Sequence, residues 1–142
     1  QKTFPVPEGF AVKCIQEKDY QLVIEAWDYC DSHVMVKKRL RHLPSVGIYT
    51  SEGQLASFMS THTMGQMSHL YTFPEFRGLG LGKATEIRLA QKYIQKYCKL
   101  LIQCVAFNNT PVYEQSLRNP FYYGWRNKEG RQHCWNYNRI KY

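Results

Sequence analysis

Residues 67–99 have the sequence MSHLYTFPEFRGLGLGKATEIRLAQKYIQKYCK, and this stretch decides the fold. The pattern predicts a strand from Met67 to Phe73, a turn at residues 74–76, a glycine-rich loop from Arg77 to Gly82, and a helix from Lys83 to about Tyr97. Glycines at alternate loop positions remove Cβ atoms, so a ligand can approach the backbone closely. The first N–H groups of the helix and its dipole favour a negative charge there. We therefore interpret the loop as a pyrophosphate cradle.

Two common phosphate-binding loops do not fit this pattern. A Walker loop needs glycine five residues before its Gly-Lys pair and Ser or Thr after it, but Arg77 and Ala84 occupy those positions. A dinucleotide fingerprint needs G-x-G-x-x-G and an acidic residue about 20 residues later, and neither is present. The residues expected to face the phosphates are Arg77, Gly78, Leu79, Gly80, Leu81, Gly82 and Lys83.

Length and composition indicate one domain, spanning residues 1–142. No apolar run approaches the ~18 residues of a membrane span, so we expect no membrane partner. The chain begins with Gln1 rather than Met, which suggests the C-terminal part of a longer chain. Five cysteines without C-x-x-C spacing favour reduced thiols inside a cell and no metal site.

The chain carries 19 basic and 11 acidic residues, a net charge of +8. These charges are dispersed, so we expect no nucleic-acid partner, although a basic surface would also attract a polyanionic cofactor. The densest cluster, residues 37–41, is interpreted as a solvated helix face.

Periodicity and turn residues predict the order β α α β β β α β α β β. A first strand at residues 10–15 precedes a helix that begins after Asp19 and buries one face. The other predicted elements are a basic helix at 33–42, strands at 46–49 and 54–63, the strand and helix above, a strand parallel to its predecessor at 100–105, a helix at 109–118 and a final hairpin at 121–137. We expect the face of the first helix to consist of Leu22, Val23, Ala26 and Trp27.

Arg-x-x-Gly-x-Gly between a strand and a helix resembles motif A of the GNAT N-acyltransferase superfamily, matched by Arg77, Gly80 and Gly82. The resemblance implies an α/β (α+β) fold. Its mixed, mostly antiparallel sheet of six to seven strands would be splayed between the central strand and its parallel neighbour, and flanked by four helices. It also implies that the loop holds the pyrophosphate of acetyl-CoA or another acyl-CoA. The pantetheine would pair with the backbone of Leu70, Tyr71, Thr72 and Phe73, and Asn108 or Asn109 would serve the pantetheine or a helix cap. A β-bulge at residues 72–74 would start the loop.

From about Glu25 to Trp135 the chain is similar to the C-terminal half of the glycine N-acyltransferase family. The similarity is carried by residues 65–67, the run from Tyr71 to Arg77, and the segment from Asn109 to Phe121. It implies transfer of an acyl group from coenzyme A to a small amine, glycine or another amino acid, in the cytoplasm or mitochondria. Arg39, Arg41 or Lys38 would attract an acceptor carboxylate.

Two positions depart from the family pattern. Where glycine N-acyltransferases have a basic Glu, this chain has Gln66, which cannot usefully accept a proton. We predict that His69 replaces it, with His62, Glu75 or a water chain as alternatives, and a histidine without catalytic duty as the other interpretation. Where many GNAT enzymes have a Tyr near the sulfur, this chain has Ser116; Tyr113, one turn earlier, is the substitute.

Two other functions remain open on this sequence. Gln66 in place of Glu favours a domain that binds acyl-CoA without transferring the acyl group. A protein or peptide N-acetyltransferase would need an open peptide groove, which a sequence does not reveal.

Overall fold

The computed structural model describes residues 5–27, 32–99, 101–103, 109–118, 122–126 and 132–137. The predicted order of elements is confirmed. In chain order they are β1 (Phe10–Lys13), α1 (Tyr20–Glu25), α2 (His33–His42), β2 (Ser45–Thr50), β3 (Leu55–Thr61), β4 (Met67–Thr72), α3 (Leu81–Tyr97), β5 (Ile102–Gln103), α4 (Thr110–Arg118), β6 (Tyr122–Arg126) and β7 (Gln132–Tyr137). In these ranges, no helix is both long and apolar enough to cross a bilayer.

The strands form two sheets rather than the predicted single sheet of six to seven strands. The first is antiparallel with four strands in the order β1-β2-β3-β4, and the second has three in the order β5-β7-β6. Within the described residues, one parallel bridge between Gln66 and Ile102 joins them. The final hairpin pairs with β5 on its other side. The resemblance implies a splay between β4 and β5, which would open beyond this bridge, and we call this expected opening the strand split.

Each face of the four-stranded sheet is covered by helices. On one face, Phe58 of β3 packs with Val23 of α1 and Val36 of α2. On the other face, Met59 of β3 packs with Ile87 of α3. Consecutive β3 residues point to opposite faces, as the pleat requires. The glycine loop therefore connects the end of β4 to the start of α3.

The predicted apolar face of the first helix is confirmed in part. Val23 is buried, and Ala26 and Trp27 pack partly buried against the same core. Leu22 is instead 38% exposed, and Tyr20 and Ile24 are buried. The Asp19 side chain does not cap the helix either. Instead, Tyr49 donates its hydroxyl to Asp19 Oδ2 at 2.9 Å, which ties β2 to the start of α1. A tertiary hydrogen bond has replaced the local cap.

Candidate active site

The loop needs glycine at Gly78 and Gly80 for its backbone and at Gly82 for its packing. Gly78 and Gly80 have φ of +79° and +75°, a region that residues with a Cβ rarely adopt. A Cβ added to either would meet no atom within 4 Å, so open space adjoins both. A Cβ added to Gly82 would lie 3.3 Å from Thr72 Oγ1. The loop backbone is therefore open at Gly78 and Gly80 and lies close to the end of β4 at Gly82.

Helix α3 begins at Leu81, two residues before the predicted start at Lys83, because Gly80 takes the N-cap position. No side chain caps this helix end. Its first N–H groups have no carbonyl one turn earlier, so they suit an anion. The Leu81 side chain is buried against Ile48, so only its backbone can serve a ligand in the loop. Leu79 at the loop tip is exposed.

A buried chain of hydroxyl groups supports the loop from below. Thr85 of α3 donates to Ser57 Oγ of β3 at 2.9 Å, and Ser57 Oγ lies 2.9 Å from Thr72 Oγ1. Arg77 donates from Nε to the Thr72 carbonyl at 3.0 Å and lies over the Tyr71 ring at 5.7 Å. The hydroxyl groups therefore link α3 to the end of β4 through β3, and Arg77 ties the start of the loop to the same strand end. Thr85 and Ser57 play this supporting part, which the sequence analysis missed.

The β-bulge lies earlier in β4 than predicted. Phe58 pairs with Tyr71 and Ser60 pairs with Ser68, so Met59 faces two residues, His69 and Leu70. His69 absorbs the extra residue with φ of +54°, an unusual value for a residue with a Cβ. The predicted bulge at residues 72–74 is wrong; Phe73 still donates its N–H to the Ala56 carbonyl at 3.0 Å. Strained backbone of this kind often accompanies function.

The bulge turns His69 into a row of aromatic rings on the α1 and α2 side of the sheet. Its imidazole stacks on Phe58 with centroids 5.1 Å apart, and Trp27 lies at 4.7 Å. Tyr71 lies 6.1 Å from the imidazole and 5.8 Å from Phe58, and Phe73 contacts Tyr71 at 5.2 Å. Apart from the buried Phe58, these side chains are only partly buried. The row surrounds the imidazole of His69, whose Nε2 atom is buried.

The other residues considered for the catalytic base lie outside the row of aromatic rings around His69. Glu75 belongs to a turn after β4 and accepts from Gln54 Nε2 at 3.4 Å. His62 lies in the turn between β3 and β4, where its Nδ1 contacts Thr63 Oγ1 at 3.3 Å. Gln66 forms the parallel bridge with Ile102 at the base of the strand split. His69 is the candidate that shares both the central strand and the aromatic row.

The residues that are predicted to contact the departing thiolate lie on α4. Ser116 is buried and Tyr113 is partly buried, one turn apart. Asn109 precedes the helix, and its carbonyl accepts the Tyr113 N–H at 3.0 Å. Asn108 lies outside the described residues. The roles of these four residues stay predictions.

The three cations proposed for an acceptor carboxylate have different surroundings. Arg41 forms an ion pair with Glu17, at the connection between β1 and α1. Arg39 lies over the Trp27 ring at 5.3 Å, and that ring in turn contacts His69. Lys38 is exposed. Arg39 is therefore the cation that the fold brings next to the aromatic row.

A buried acidic group that periodicity did not predict lies beneath the strand split. Glu86 of α3 is 4% exposed and accepts a hydrogen bond from the Gln103 side chain of β5. Burial raises the pKa of Glu86 to about 7, and the Gln103 hydrogen bond and the charge of Lys83 only partly offset this rise. Position 86 falls inside the buried face of the helix. A charged residue at such a position was the feature of the sequence that could have identified this group.

The raised pKa of Glu86 should make stability depend on pH. An unfolded Glu loses its proton near pH 4.5, whereas folded Glu86 keeps its proton until about pH 7. Stability contributed by this group therefore falls as pH rises from about 4.5 to 7 and stays low above that. We expect Glu86→Gln to gain about 2–3 kcal/mol over wild type between pH 5 and pH 8.

Urea unfolding at the two pH values measures this difference. Glu8→Gln, at an exposed glutamate, is the control and should follow wild type. An unchanged difference between Glu86→Gln and wild type at the two pH values would contradict the prediction.

Comparisons with known proteins find an FR47-like family and acetyltransferases. Residues 45–114 match the family described as FR47-like protein. An acetyltransferase of Yersinia enterocolitica is 27% identical over 112 residues, which cover 71% of this chain and 79% of that protein. These matches support the GNAT acetyltransferase superfamily. The narrower resemblance to glycine N-acyltransferases is not shown by them and stays a proposal.

Solved structures show the same fold. A Drosophila protein superposes with a TM-score of 0.78 and 17% identity over 95% of this chain, which spans 44% of that protein. The PaiA N-acetyltransferase of Thermoplasma acidophilum, solved in complex with coenzyme A, gives a TM-score of 0.61 and 13% identity over 89% of this chain and 97% of that one. At these identities the likeness establishes the fold alone.

Proposed function

We infer that this chain is an FR47-like member of the GNAT superfamily that transfers an acyl group from acyl-CoA to the amine of a small acceptor. The observation that carries this inference is the glycine loop. It has open space at Gly78 and Gly80 and leads directly into the N-terminus of α3, where no side chain caps the helix. Coenzyme A in the Thermoplasma relative supports the choice of ligand.

In this proposal each part of the donor binds to its own surface. The loop and the first turn of α3 would hold the diphosphate through backbone N–H groups. The edge of β4 beyond Gln66 would accept the pantetheine as an added strand, in the strand split that the resemblance implies. The thioester would then lie near the bulge at His69.

Transfer requires an amine without its proton, a polarised carbonyl and a proton for the departing thiolate. In our proposal His69 accepts the proton of the acceptor ammonium, and the amine nitrogen attacks the thioester carbonyl. The C–N bond forms as the C–S bond breaks, the second proton of the attacking nitrogen passes to the departing sulfur, and Ser116 or Tyr113 hydrogen-bonds that sulfur. Aromatic rings around His69 favour a desolvated amine, which is the better nucleophile.

We propose an acceptor that carries a carboxylate, such as glycine or another amino acid. Arg39 next to the aromatic row is the supporting observation. We expect glycine to be a better acceptor than glycinamide. Loss of a charge-assisted hydrogen bond in Arg39→Gln should raise KM for glycine about tenfold and leave glycinamide unchanged.

Initial rates with acetyl-CoA and longer acyl-CoAs across an amine panel test both proposals. Arg41→Gln is the matched control on the same helix, because Arg41 pairs with Glu17. An equal KM increase for both acceptors, or an effect of Arg41→Gln as large as that of Arg39→Gln, would reject the carboxylate proposal. Absence of turnover with every amine and every acyl-CoA donor would reject the proposal that the chain is an enzyme.

Gln66 favours a second candidate, a domain that binds acyl-CoA without transferring the acyl group. Its amide replaces the carboxylate expected at the base of the strand split. Calorimetric titration with CoA, run beside the amine panel, separates the two candidates. Binding without turnover selects this second function.

A further inference from the structure

Cys14 and Lys92 form a pair of nucleophilic side chains that the proposed reaction does not use. Lys92 Nζ lies 2.7 Å from Cys14 Sγ, although the two residues are 78 positions apart in the chain. Cys14 directly follows β1, at the edge of the four-stranded sheet, and is exposed. Lys92 belongs to α3 and lies eleven residues after Leu81, which is about 16 Å along the helix axis at about 1.5 Å per residue. The pair therefore lies outside the glycine loop.

A second contact fixes the position of the Lys92 amine. Nζ also donates to the Ser45 carbonyl at 2.9 Å, at the start of β2. A thiol sulfur is only a weak hydrogen-bond acceptor, so the carbonyl is the stronger of the two attachments. The side chain is partly buried as a result, whereas the thiol beside it is exposed. The structure therefore keeps an amine next to a thiol that reagents in solution can reach.

An amine and a thiol at this distance can pass an acyl group from one to the other. Thiolates are strong nucleophiles that form covalent acyl intermediates, so an exposed cysteine can take an acyl group from a thioester. An amine fixed beside that new thioester then reacts within one molecule, which greatly raises its effective concentration. Such a reaction needs the reacting atoms about 3–3.5 Å apart. A carbonyl carbon bonded to Cys14 Sγ would come that close to Lys92 Nζ.

We propose that Cys14 and Lys92 form a self-acylation site, at which Cys14 takes the acyl group of an acyl thioester and transfers it to Lys92. In the first step the Cys14 thiol loses its proton to solvent and Sγ attacks the thioester carbonyl. The new C–S bond forms, the old C–S bond breaks, and the departing thiolate takes a proton from solvent.

In the second step the acyl group moves from sulfur to nitrogen. Lys92 Nζ first loses one proton of its ammonium to solvent and then attacks the carbonyl bonded to Cys14. The C–N bond forms, the C–Sγ bond breaks, and a second proton of the nitrogen passes to Sγ. The products are an N-acyl-lysine, the free thiol of the donor and the regenerated Cys14 thiol, and one proton is released.

The substrate class is acyl thioesters, among them the acyl-CoA of the proposed function. The pair needs neither the glycine loop nor a nucleotide, so this inference does not rest on the proposed function. Acylation removes the positive charge of Lys92 and leaves one N–H donor in place of three. The modified side chain therefore loses part of its attachment to Ser45 and Cys14, which joins α3 to the first two strands.

Peptide mass spectrometry after incubation with a thioester tests the site. The donors are acetyl-CoA and S-acetyl-N-acetylcysteamine, a thioester without a nucleotide. With both donors we expect Lys92 to be acetylated about 100-fold faster than Lys37, an exposed lysine of α2, because its reaction is intramolecular. Cys14→Ser should lower acetylation of Lys92 to the rate of Lys37. Cys98→Ser, at the other exposed cysteine of the described residues, is the matched control and should behave as wild type.

Lys92→Arg gives a second, independent measurement. Its guanidinium keeps the positive charge but cannot be deprotonated to attack a carbonyl. The acetyl group should therefore stay on Cys14 and be released by neutral hydroxylamine. Absence of this thioester would overturn the transfer from sulfur to nitrogen.

Three further results would overturn the site. They are unchanged acetylation of Lys92 in Cys14→Ser, acetylation of wild-type Lys92 no faster than that of Lys37, and reaction with acetyl-CoA but not with the small thioester. A protein that acetylates Lys92 with both donors but binds no CoA in calorimetry would instead support this inference and overturn the proposed function alone.

Discussion

Replacing Gly80 with alanine is expected to weaken CoA binding about 100-fold, equivalent to about 2.7 kcal/mol. The added Cβ would point into open space at the loop, where the diphosphate is proposed to lie. A methyl group there holds the phosphate away from the backbone N–H groups, and short charge-assisted hydrogen bonds weaken steeply with distance. Calorimetric titration with CoA and 3′-phospho-ADP measures the change, and both ligands should lose affinity.

Gly53→Ala is the matched control for this variant. Gly53 has φ of +82°, and its nearest atom to an added Cβ is Lys18 Nζ at 3.9 Å, so the backbone strain of the two substitutions is similar. It lies in the turn between β2 and β3, away from the loop. Both variants should lose about 1 kcal/mol of stability, but only Gly80→Ala should lose affinity. CoA binding by Gly80→Ala as tight as wild type would refute the phosphate cradle.

Replacing His69 with asparagine is expected to lower kcat by about 10²–10⁴-fold, the usual contribution of a positioned general base. Asparagine is the informative substitute because it tolerates the left-handed backbone that His69 adopts with φ of +54°. It keeps polarity but cannot accept a proton. Because donor and acceptor contacts remain, KM for acyl-CoA should change less than twofold. Steady-state kinetics with the best acceptor of the panel measures both constants.

His62→Asn controls for the loss of an imidazole near the central strand. His62 lies in the turn before β4 and makes local contacts with Thr63 and Met64. Its substitution should leave kcat within twofold of wild type. If His69→Asn has near-wild-type kcat, or if the two variants lose equal activity, His69 is not the base. A thermal melt of each variant shows whether the fold survives.

Local sequence patterns predicted most of the fold. The glycine spacing, the residues flanking it and the apolar period after it predicted a strand, loop and helix that the structure confirms to within two residues at the helix start. Neighbouring residues also set the two ends of α2. Pro44 follows shortly after its C-terminal end, and at its N-terminal end the Ser32 side chain accepts a hydrogen bond from the Met35 N–H. Caps and turns depend on neighbours in the chain, so a sequence contains their causes.

Predictions that depended on distant partners did less well. Leu22 fits the predicted apolar face of the first helix, yet it is 38% exposed, and Tyr20 and Ile24 are buried beside Val23 instead. The bulge at His69 arises from the register between β3 and β4, to which residues on both strands contribute. Glu86 and Gln103 lie 17 positions apart in sequence and meet only because α3 packs beneath β5.

The sequence by itself determined the strand, glycine loop and helix of residues 67–97 and the order of elements, because glycines and turns act over a few residues. The tertiary structure alone decided that His69 faces a row of aromatic rings and that Arg39 rather than Arg41 stands beside it. Those arrangements are set by register and packing between segments far apart in the chain, where one residue of slip exchanges the two faces of a strand.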